Sequence, residues 1–466
     1  MRQMTLGVDV ACRAAHQASL TDESGTFVWS GKRFRTTTED LARLWRAVPE
    51  ATELTVVMEP TRNAWVPLAA WFRRRGATVI LVPPEQAADL RDYFNKHTKS
   101  DRLDSRMLAR LLLLHPDGLH PAEGLGPADA MRRATKLRAS LVKRRSAVLG
   151  RIDAYLELLG PGWHAAFGAD LANNTPLRFL AAGYSDPHTL RRLGRARLIK
   201  FLWRHSRGAW GDAHAERLLA VADETLELWG DDIDYGDLAD DIAVEARVAL
   251  QLSTEIHELE QRIAVCLHEL DPNGIMTSVP GVAHVNGAQI LARLGDPNRF
   301  RSLAGVRAFS GLVPSLDSSG VNGHHGPPTK AGDAPLREAL FMAADQARRL
   351  DPTLAARYHR LMSNHGKHHN SALCHIATTL LTRIVACWRS DSAYVIRDLD
   401  GTPLTAAQGR QIVTQRFTVS SELRAQRRTT TADHARTSRR NKESQSAPST
   451  GPSDLEARTL TGVDSA

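Results

Sequence analysis

The chain predicts an α/β region at its N-terminus, with a mixed sheet and helices, followed by all-α regions. Three observations carry this. Short apolar runs alternate with helix-like stretches through residues 1–120. Apolar residues at helical spacing dominate most of the remaining chain. Two of the short apolar runs end in an acid, Asp9 and Glu59, and two further acids, Asp101 and Asp104, lie at the start of a helix-like stretch.

In order, strands are expected at 5–11 and 26–34, paired through a turn at Asp22–Gly25, with a helix near 38–47. Strand 54–59 is nearly all apolar, as befits a strand covered on both faces by helices. A helix near 64–75 and a strand at 78–82 come next, stopped by Pro83-Pro84. Helices near 85–94 and 101–114 complete domain 1–120. Region 121–272 reads as helical, with heptad-like stripes in 128–159 (Leu137, Leu141, Val148, Ile152) and 238–270 (Val248, Leu252, Ile256, Leu259). Such stripes predict coiled-coil helices, antiparallel or intermolecular. Between them, 160–237 reads as mixed helix and loop with no chemistry of its own. Domain 273–418 is mostly helical and opens on Val279-Pro280-Gly281-Val282. That turn has the form of a helix-hairpin-helix, or of an ordinary Pro-Gly turn. The tail 419–466 is rich in Thr, Ser, Arg and Pro, and predicts disorder.

The 60 Lys and Arg against 52 Asp and Glu leave a formal charge of +8, with a pI of about 9.5. This favours a polyanionic partner. Arg132, Arg133, Lys136, Arg138, Lys143, Arg144, Arg145 and Arg151 fall in one helical stretch, and Arg191 to Arg207 form a second cluster. The four cysteines (Cys12, Cys266, Cys374, Cys387) have no C-x-x-C spacing, which argues against a disulfide framework or a zinc ribbon. The N-terminus has no signal-peptide pattern, and no apolar run reaches the roughly 20 residues of a membrane span. A cytoplasmic protein without a membrane partner is expected. His365, His368, His369 and His375 have no cysteine at ligand spacing, so they read as a loop opening a helix rather than a zinc site.

Asp9, Glu59, Asp101 and Asp104 are the residue types that hold hard divalent cations such as Mg²⁺. Strand ends in an α/β fold are where ligands bind. Asp101 and Asp104, three apart on a helix, share a face. Each acid taken singly also reads as a surface or first-turn acid. A second constellation runs from Phe309-Ser310-Gly311-Leu312-Val313-Pro314 to Ser318-Ser319-Gly320, followed by His324, His325, Lys330 and Arg337. A serine in a polar loop needs a base or metal to become a nucleophile, and basic neighbours can orient a phosphate. Chemistry alone does not separate Ser318 from Ser319.

Together these motifs resemble the DEDD transposases of the IS110 insertion-sequence family. The likeness rests on Gly7-Val8-Asp9-Val10, Glu59, Lys99-Ser100-Asp101-Arg102-Leu103-Asp104, Val279-Pro280-Gly281-Val282, Gly311-Leu312-Val313-Pro314, Ser319-Gly320, Lys330-Ala331-Gly332-Asp333 and Leu336-Arg337. It covers most of residues 4–415. The departures include Ser105, where the family often has alanine. The resemblance implies a RuvC-like (RNase H-like) N-terminal domain, a coiled-coil region and a C-terminal serine domain. It implies Asp9, Glu59, Asp101 and Asp104 as ligands of Mg²⁺ or Mn²⁺, and Ser319 as a nucleophile forming a covalent phosphoserine link to DNA. The two domains are expected to meet across subunits of a homodimer or tetramer. The implied partners are donor and target DNA and a structured guide (bridge) RNA from the element itself, in a bacterial, nucleoid-associated setting. Arg132, Arg133, Lys136, Lys143, Arg144, Arg145, Lys330 and Arg337 are the expected nucleic-acid contacts. Two other activities fit the same residues: a RuvC-like nuclease or junction resolvase using activated water, and a nucleic-acid-binding scaffold without catalysis.

Overall fold

The computed structural model describes residues 2–50, 52–82, 86–87, 101–116, 119, 121–122, 127–230, 232–319 and 322–427, without the side chains of 52, 169, 297, 316–325 and 327. The chain divides into two compact units, Met1–Asp129 and Ala130–Ala466.

In the first unit, five strands form one sheet in the order β3-β2-β1-β4-β5. They are β1 (Arg2–Asp9), β2 (His16–Asp22), β3 (Phe27–Phe34), β4 (Thr52–Met58) and β5 (Thr78–Leu81). β1 pairs antiparallel with β2 and parallel with β4; β2–β3 is antiparallel and β4–β5 parallel. This mixed sheet, with its helices, fits an RNase H-like domain. Helices α1 (Thr38–Arg46), α2 (Trp65–Arg73) and α3 (Asp101–Leu114) accompany it. Most of the expected helix near 85–94 lies outside the described residues.

One element corrects the sequence reading. Residues 26–34 pair not with β1 but with β2, which lies between them and was not foreseen. β2 is buried on both faces, and its Ala18, Ser19 and Thr21 are small or polar, so it lacks the apolar alternation that marks a half-exposed strand. The Asp22–Gly25 turn therefore joins β2 to β3. Asp22 Oδ1 accepts hydrogen bonds from Ser24 N–H (3.0 Å), Ser24 O–H (2.7 Å) and Thr26 N–H (2.9 Å). Gly25 supplies the positive φ of 79°.

The sheet's α3 side is set by one close approach. A Cβ on Gly7 would stand 2.2 Å from both Ala109 N and Ser105 O of α3. Small hydroxyls line the same seam. Ser105 Oγ and Ser19 Oγ share a hydrogen bond of 2.9 Å, and Thr21 O–H donates to Ala109 O at 3.1 Å. On the other face lies a core of Leu6, Val8, Leu20, Val56, Leu68 and Phe72.

The second unit is helical. Two long helices, α4 (Pro127–Leu159) and α10 (Tyr235–Leu270), run between two cores. Between them in sequence come α5 (Pro161–Phe167), α6 (Asn174–Ala181), α7 (Pro187–Leu193), α8 (Arg195–Ser206) and α9 (Asp212–Trp229). These build one core around Trp163, Phe167, Phe179 and Leu202, together with Ile152 and Leu156 of α4 and Ile242 and Ala246 of α10. Residues 160–237 are thus a folded lobe, more regular than expected. After α10 come α11 (Ile275–Ser278), α12 (His284–Leu294), α13 (Leu303–Ser310), strands β6 (Pro314–Ser319) and β7 (Asn322–Pro328), then α14 (Ala334–Ala347), α15 (Pro352–Ser363), α16 (His369–Arg389) and α17 (Ala406–Arg416). The core here includes Met131, Ile263, Leu340, Tyr358 and Ile376.

α16 is long and apolar enough, by composition alone, to cross a membrane. Its Leu373, Ile376, Leu380 and Ile384 are fully buried in this core. The α11–α12 turn packs closely: a Cβ on Gly281 would meet Ala343 O at 2.4 Å. That approach to α14 accounts for the glycine by itself. Asp351 caps α15, and its Oδ2 accepts hydrogen bonds from Tyr394 O–H at 2.6 Å and Arg383 at 3.2 Å. The expected disorder from 419 is corrected at its start. Residues 421–427 are helical and Leu423 packs on the core, while 428–466 lie outside the described residues.

The Gly7 contact generates a stability prediction. Gly7→Ala forces a methyl into the α3 backbone and should cost about 3 kcal/mol, as overpacking does. Denaturant unfolding of the full chain, followed by amide exchange in β1 and α3, checks it; unchanged protection there would refute the contact.

Candidate functional site

The acids are placed by strand register. Val8 of β1 pairs with Met58 of β4, so Asp9 and Glu59 come side by side at the carboxyl ends of two parallel strands. Side chains alternate along a strand, so Asp9 shares the α3-facing side of Gly7. Val57 packs with Leu108 and Leu111 of α3, and Glu59, two residues on, takes that same side.

α3 brings the other two acids to this end. Ala109 lies at Thr21, which pairs with Thr5; Ser105 lies at Ser19, which pairs with Gly7. The helix therefore runs antiparallel to β1, and its first turn, with Asp101 and Asp104, lies toward Asp9. Asp104 precedes Leu108 by four and Leu111 by seven, so it sits on the stripe facing β4. Asp9, Glu59 and Asp104 are half-buried and Asp101 is exposed. Two acids in the first turn also complement the helix dipole.

Among the described residues no three His, Cys, Asp or Glu side chains stand close enough to hold a metal ion. The four carboxylates share an end of the fold without forming a closed cage. As a donor set they fit a hard divalent cation in chemistry, since Mg²⁺ takes one or two carboxylates and completes its shell with water and phosphate.

A histidine unforeseen in the sequence holds this end of the sheet. His16 is 3% exposed. Ala11 N–H donates to its Nδ1 at 3.1 Å, and its Nε2–H donates to Thr36 Oγ1 at 2.8 Å. The neutral ring thus closes the β1–β2 connection two residues beyond Asp9. Burial holds its pKa below the ordinary histidine value.

Ser319 ends β6, paired with Asn322 of β7; Ser318 pairs with Gly323. The expected polar loop is thus largely a two-stranded ribbon. Gly320 lies outside the described residues. The ribbon's base is clamped: Arg337 donates to Ser310 O at 3.1 Å and Lys330 O at 3.4 Å. Lys330 N–H donates to Gly311 O at 3.2 Å and Asp333 N–H to Phe309 O. Arg337, expected on phosphate, here ties both legs of the ribbon together, while Lys330 is exposed.

The basic residues of α4 divide in two. Arg138 pairs with Glu260 at 2.6 Å, Arg145 donates to Ser253 at 2.7 Å, and Arg151 pairs with Glu245 at 2.6 Å. Partner numbers fall as the arginine numbers rise, so α4 and α10 run antiparallel. Arg132 donates to Ala292 O at 3.0 Å. Arg132 and Arg145, expected on nucleic acid, therefore take part in holding the unit together. Arg133, Lys136, Lys143 and Arg144 are exposed, with no carboxylate partner among the described residues. The histidine cluster is dispersed: His368 caps α16, and His369 shares a 2.7 Å hydrogen bond with Tyr358.

An RNase H-like sheet with acids at its strand ends is compatible with a DNA transposase, and the similarity to known proteins assigns that class. Residues 6–161 match the family model for the IS110-type DEDD transposase, and residues 273–360 match the model described as the transposase IS116/IS110/IS902 family. The chain belongs to the IS110 family of insertion-sequence transposases. It is 26% identical over 420 residues to the insertion element IS110 uncharacterized 43.6 kDa protein of Streptomyces coelicolor, covering 86% of this chain and 98% of that one. It is 24% identical over 374 residues to the insertion element IS116 uncharacterized 44.8 kDa protein of Streptomyces clavuligerus, covering 80% and 91%. With the insertion element IS900 uncharacterized 42 kDa protein of Mycobacterium paratuberculosis the identity is 28% over 218 residues, covering 46% and 53%.

The His16 clamp carries a pH prediction. Its folded pKa lies below the unfolded value of about 6.5. Between the two values the unfolded chain binds the extra proton, so stability falls as pH drops below about 6.5 and is unaffected above it. Corrected for the intrinsic exchange rate, the protection of amides in β1 and β2 should therefore fall as pH drops below about 6.5. His16→Gln should flatten that response; an equal response in both proteins would count against the clamp.

Proposed function

We propose that this transposase cuts and rejoins DNA strands through a covalent phosphoserine at Ser319. The shared end of Asp9, Glu59, Asp101 and Asp104 supports the metal-dependent part of this reading, and the family's Ser319-Gly320 step supports the serine part. These four would hold Mg²⁺ or Mn²⁺, and such an ion supplies charge stabilisation at phosphate oxygens. Ser319 Oγ forms a bond to phosphorus as the bond from phosphorus to the 3′ oxygen breaks. The serine loses its proton, and the 3′ oxygen leaves as a hydroxyl. Attack by a second 3′-hydroxyl on the phosphoserine reverses these changes and joins new strands. Ser318 is the competing position, and the Ser319-Gly320 step of the family favours Ser319.

The recombining DNA partners are selected, on this reading, by pairing with a structured RNA of the element, and the protein works as a homodimer or tetramer in the cytoplasm, at the nucleoid. Arg133, Lys136, Lys143 and Arg144 support the nucleic-acid part, since exposed cations without carboxylate partners grip phosphates in a salt-dependent way. Lys330, exposed beside the serine ribbon, is a further phosphate contact. The alternative is a RuvC-like nuclease using activated water, favoured by the acids alone.

Denaturing gels of the protein with element-end DNA and its RNA separate the two. Ser319→Ala should remove the protein–DNA adduct and lower strand exchange at least ~10³-fold, as loss of a nucleophile does. Ser318→Ala should retain both. Asp9→Asn and chelation should each abolish cleavage and adduct together. Free cleavage products that survive Ser319→Ala would establish the nuclease instead.

A further inference from the structure

Neither family model reaches residues 162–272, the stretch containing α5 to α9. We propose that this lobe binds an unpaired nucleic-acid strand, with Trp203 as a stacking platform for bases and Arg178, Lys200, Arg204 and Arg207 as phosphate contacts. The inference takes only its class of ligand from the proposed strand exchange.

Trp203 is 62% exposed, although tryptophan is usually well buried. α8 turns Leu198 and Leu202 into the lobe's core. Its exposed side carries Lys200 and Trp203, three apart, with Arg204 next in sequence, and Arg207 follows in the left-handed turn that ends the helix. The indole is held in place. Gly208 N–H donates to Trp203 O at 2.9 Å, and Arg207 takes a left-handed φ of 54°. A Cβ on Gly208 would stand 3.2 Å from the indole Nε1, so the ring's pyrrole edge rests on this turn.

The cations of this stretch fall into two groups. Elsewhere in the cluster, Arg191 pairs with Asp223 and Arg195 with Asp212 and Glu216. Arg192 and Arg197 donate to Thr189 and to backbone carbonyls. Lys200, Arg204, Arg207 and Arg178 have no carboxylate partner among the described residues. Arg178 lies 3.2 Å from His205 Nδ1. Burial, then Arg178 and Arg204, hold the His205 pKa below its ordinary value. The dipole at the C-terminus of α8 accounts for Arg204 and Arg207 as helix-end cations. It does not account for an exposed, edge-braced indole or for Arg178 on another helix.

An open aromatic face among cations is the arrangement that binds single strands: any base stacks, and the cations follow the backbone. Four phosphate contacts would give a salt slope of about −3 in log affinity against log salt.

The test uses the full chain and labelled oligothymidylate or oligouridylate of about twelve residues, titrated between about 50 and 300 mM salt. Trp203→Ala should weaken binding roughly 5- to 150-fold, and Trp203→Phe should restore much of the loss. Joint Lys200→Gln, Arg204→Gln and Arg207→Gln should flatten the salt slope by about 2. Oligonucleotide should quench tryptophan fluorescence more in the parent protein than in Trp203→Phe; this arm reports the site even if other faces dominate affinity. Tighter binding of one oligonucleotide identifies the strand as DNA or RNA. Parent-like quenching in Trp203→Phe overturns the proposal. So does equal competition by polyglutamate, which would mark a general polyanion surface, or loss of self-association in Trp203→Ala with binding intact, which would mark a copy contact. A missing Ser319 adduct leaves these readouts untouched, so the two readings fail separately.

Discussion

The contact between Gly7 and the backbone of α3 is the constraint on which the candidate site rests. Helices normally stand off a sheet by the thickness of side chains. Here the 2.2 Å that a Cβ would leave to Ser105 O and Ala109 N brings backbone against backbone. The seam is polar, and it works because every hydroxyl in it has a partner: Ser19 with Ser105, Ser105 with Arg102 O at 3.0 Å, and Thr21 with Ala109 O. Unsatisfied, each buried hydroxyl would cost about 1–3 kcal/mol. Their pairing fixes helix register as well as distance. A slip of one helical turn, about 5.4 Å, would carry Asp101 and Asp104 away from the strand ends while leaving an apolar face acceptable. A greasy seam would tolerate that slip; this one does not.

The second unit relies on a different division of labour. Its two cores lie at the ends of α4 and α10, and Arg138, Arg145 and Arg151 join the helices between them. These arginines alternate with Arg133, Lys136, Lys143 and Arg144 on one helix. A single basic run therefore contains both structural ties and free charge. Partly exposed ion pairs of this kind are individually weak, but two of them and the Arg145–Ser253 hydrogen bond, in antiparallel order, specify which residue of α10 stands opposite which residue of α4. That is register information which the apolar stripe does not carry, since Leu137 and Val248 of the expected heptads are exposed.

The same contrast between local pattern and non-local pairing decides how much was legible in the sequence. The strands β1, β4 and β5, helix α3 and both long helices carry strong apolar patterns, and their observed bounds stay close to the expected ones. The acids could be read because strand ends and first turns are visible locally. β2 could not, since its buried side chains are small and polar and only the α3 seam makes them interior. The stretch of β6 and β7 reads as a loop in sequence because Ser318, Ser319 and the glycines after them have turn composition; pairing, a non-local property, makes Pro314–Ser319 and Asn322–Pro328 strands. Exposure was equally hidden. Trp203 and its cations were in plain view at helical spacing, yet nothing local told an open indole from a core one.

The ribbon also gives Arg337 a role within the protein itself. A lone two-stranded ribbon is marginally stable, and Ser319 stands five residues beyond Pro314, where β6 begins. At about 3.3 Å per residue that is roughly 17 Å from the base. A small rotation at the base therefore becomes a large displacement at the serine. The base is held by Arg337 bridging Ser310 O and Lys330 O, and by Gly332, where a Cβ would meet Phe309 O at 2.5 Å. Both features bring the two legs to one fixed separation. The serine's position is thus set at a distance by a guanidinium and a glycine, as the acids' position is set by Gly7.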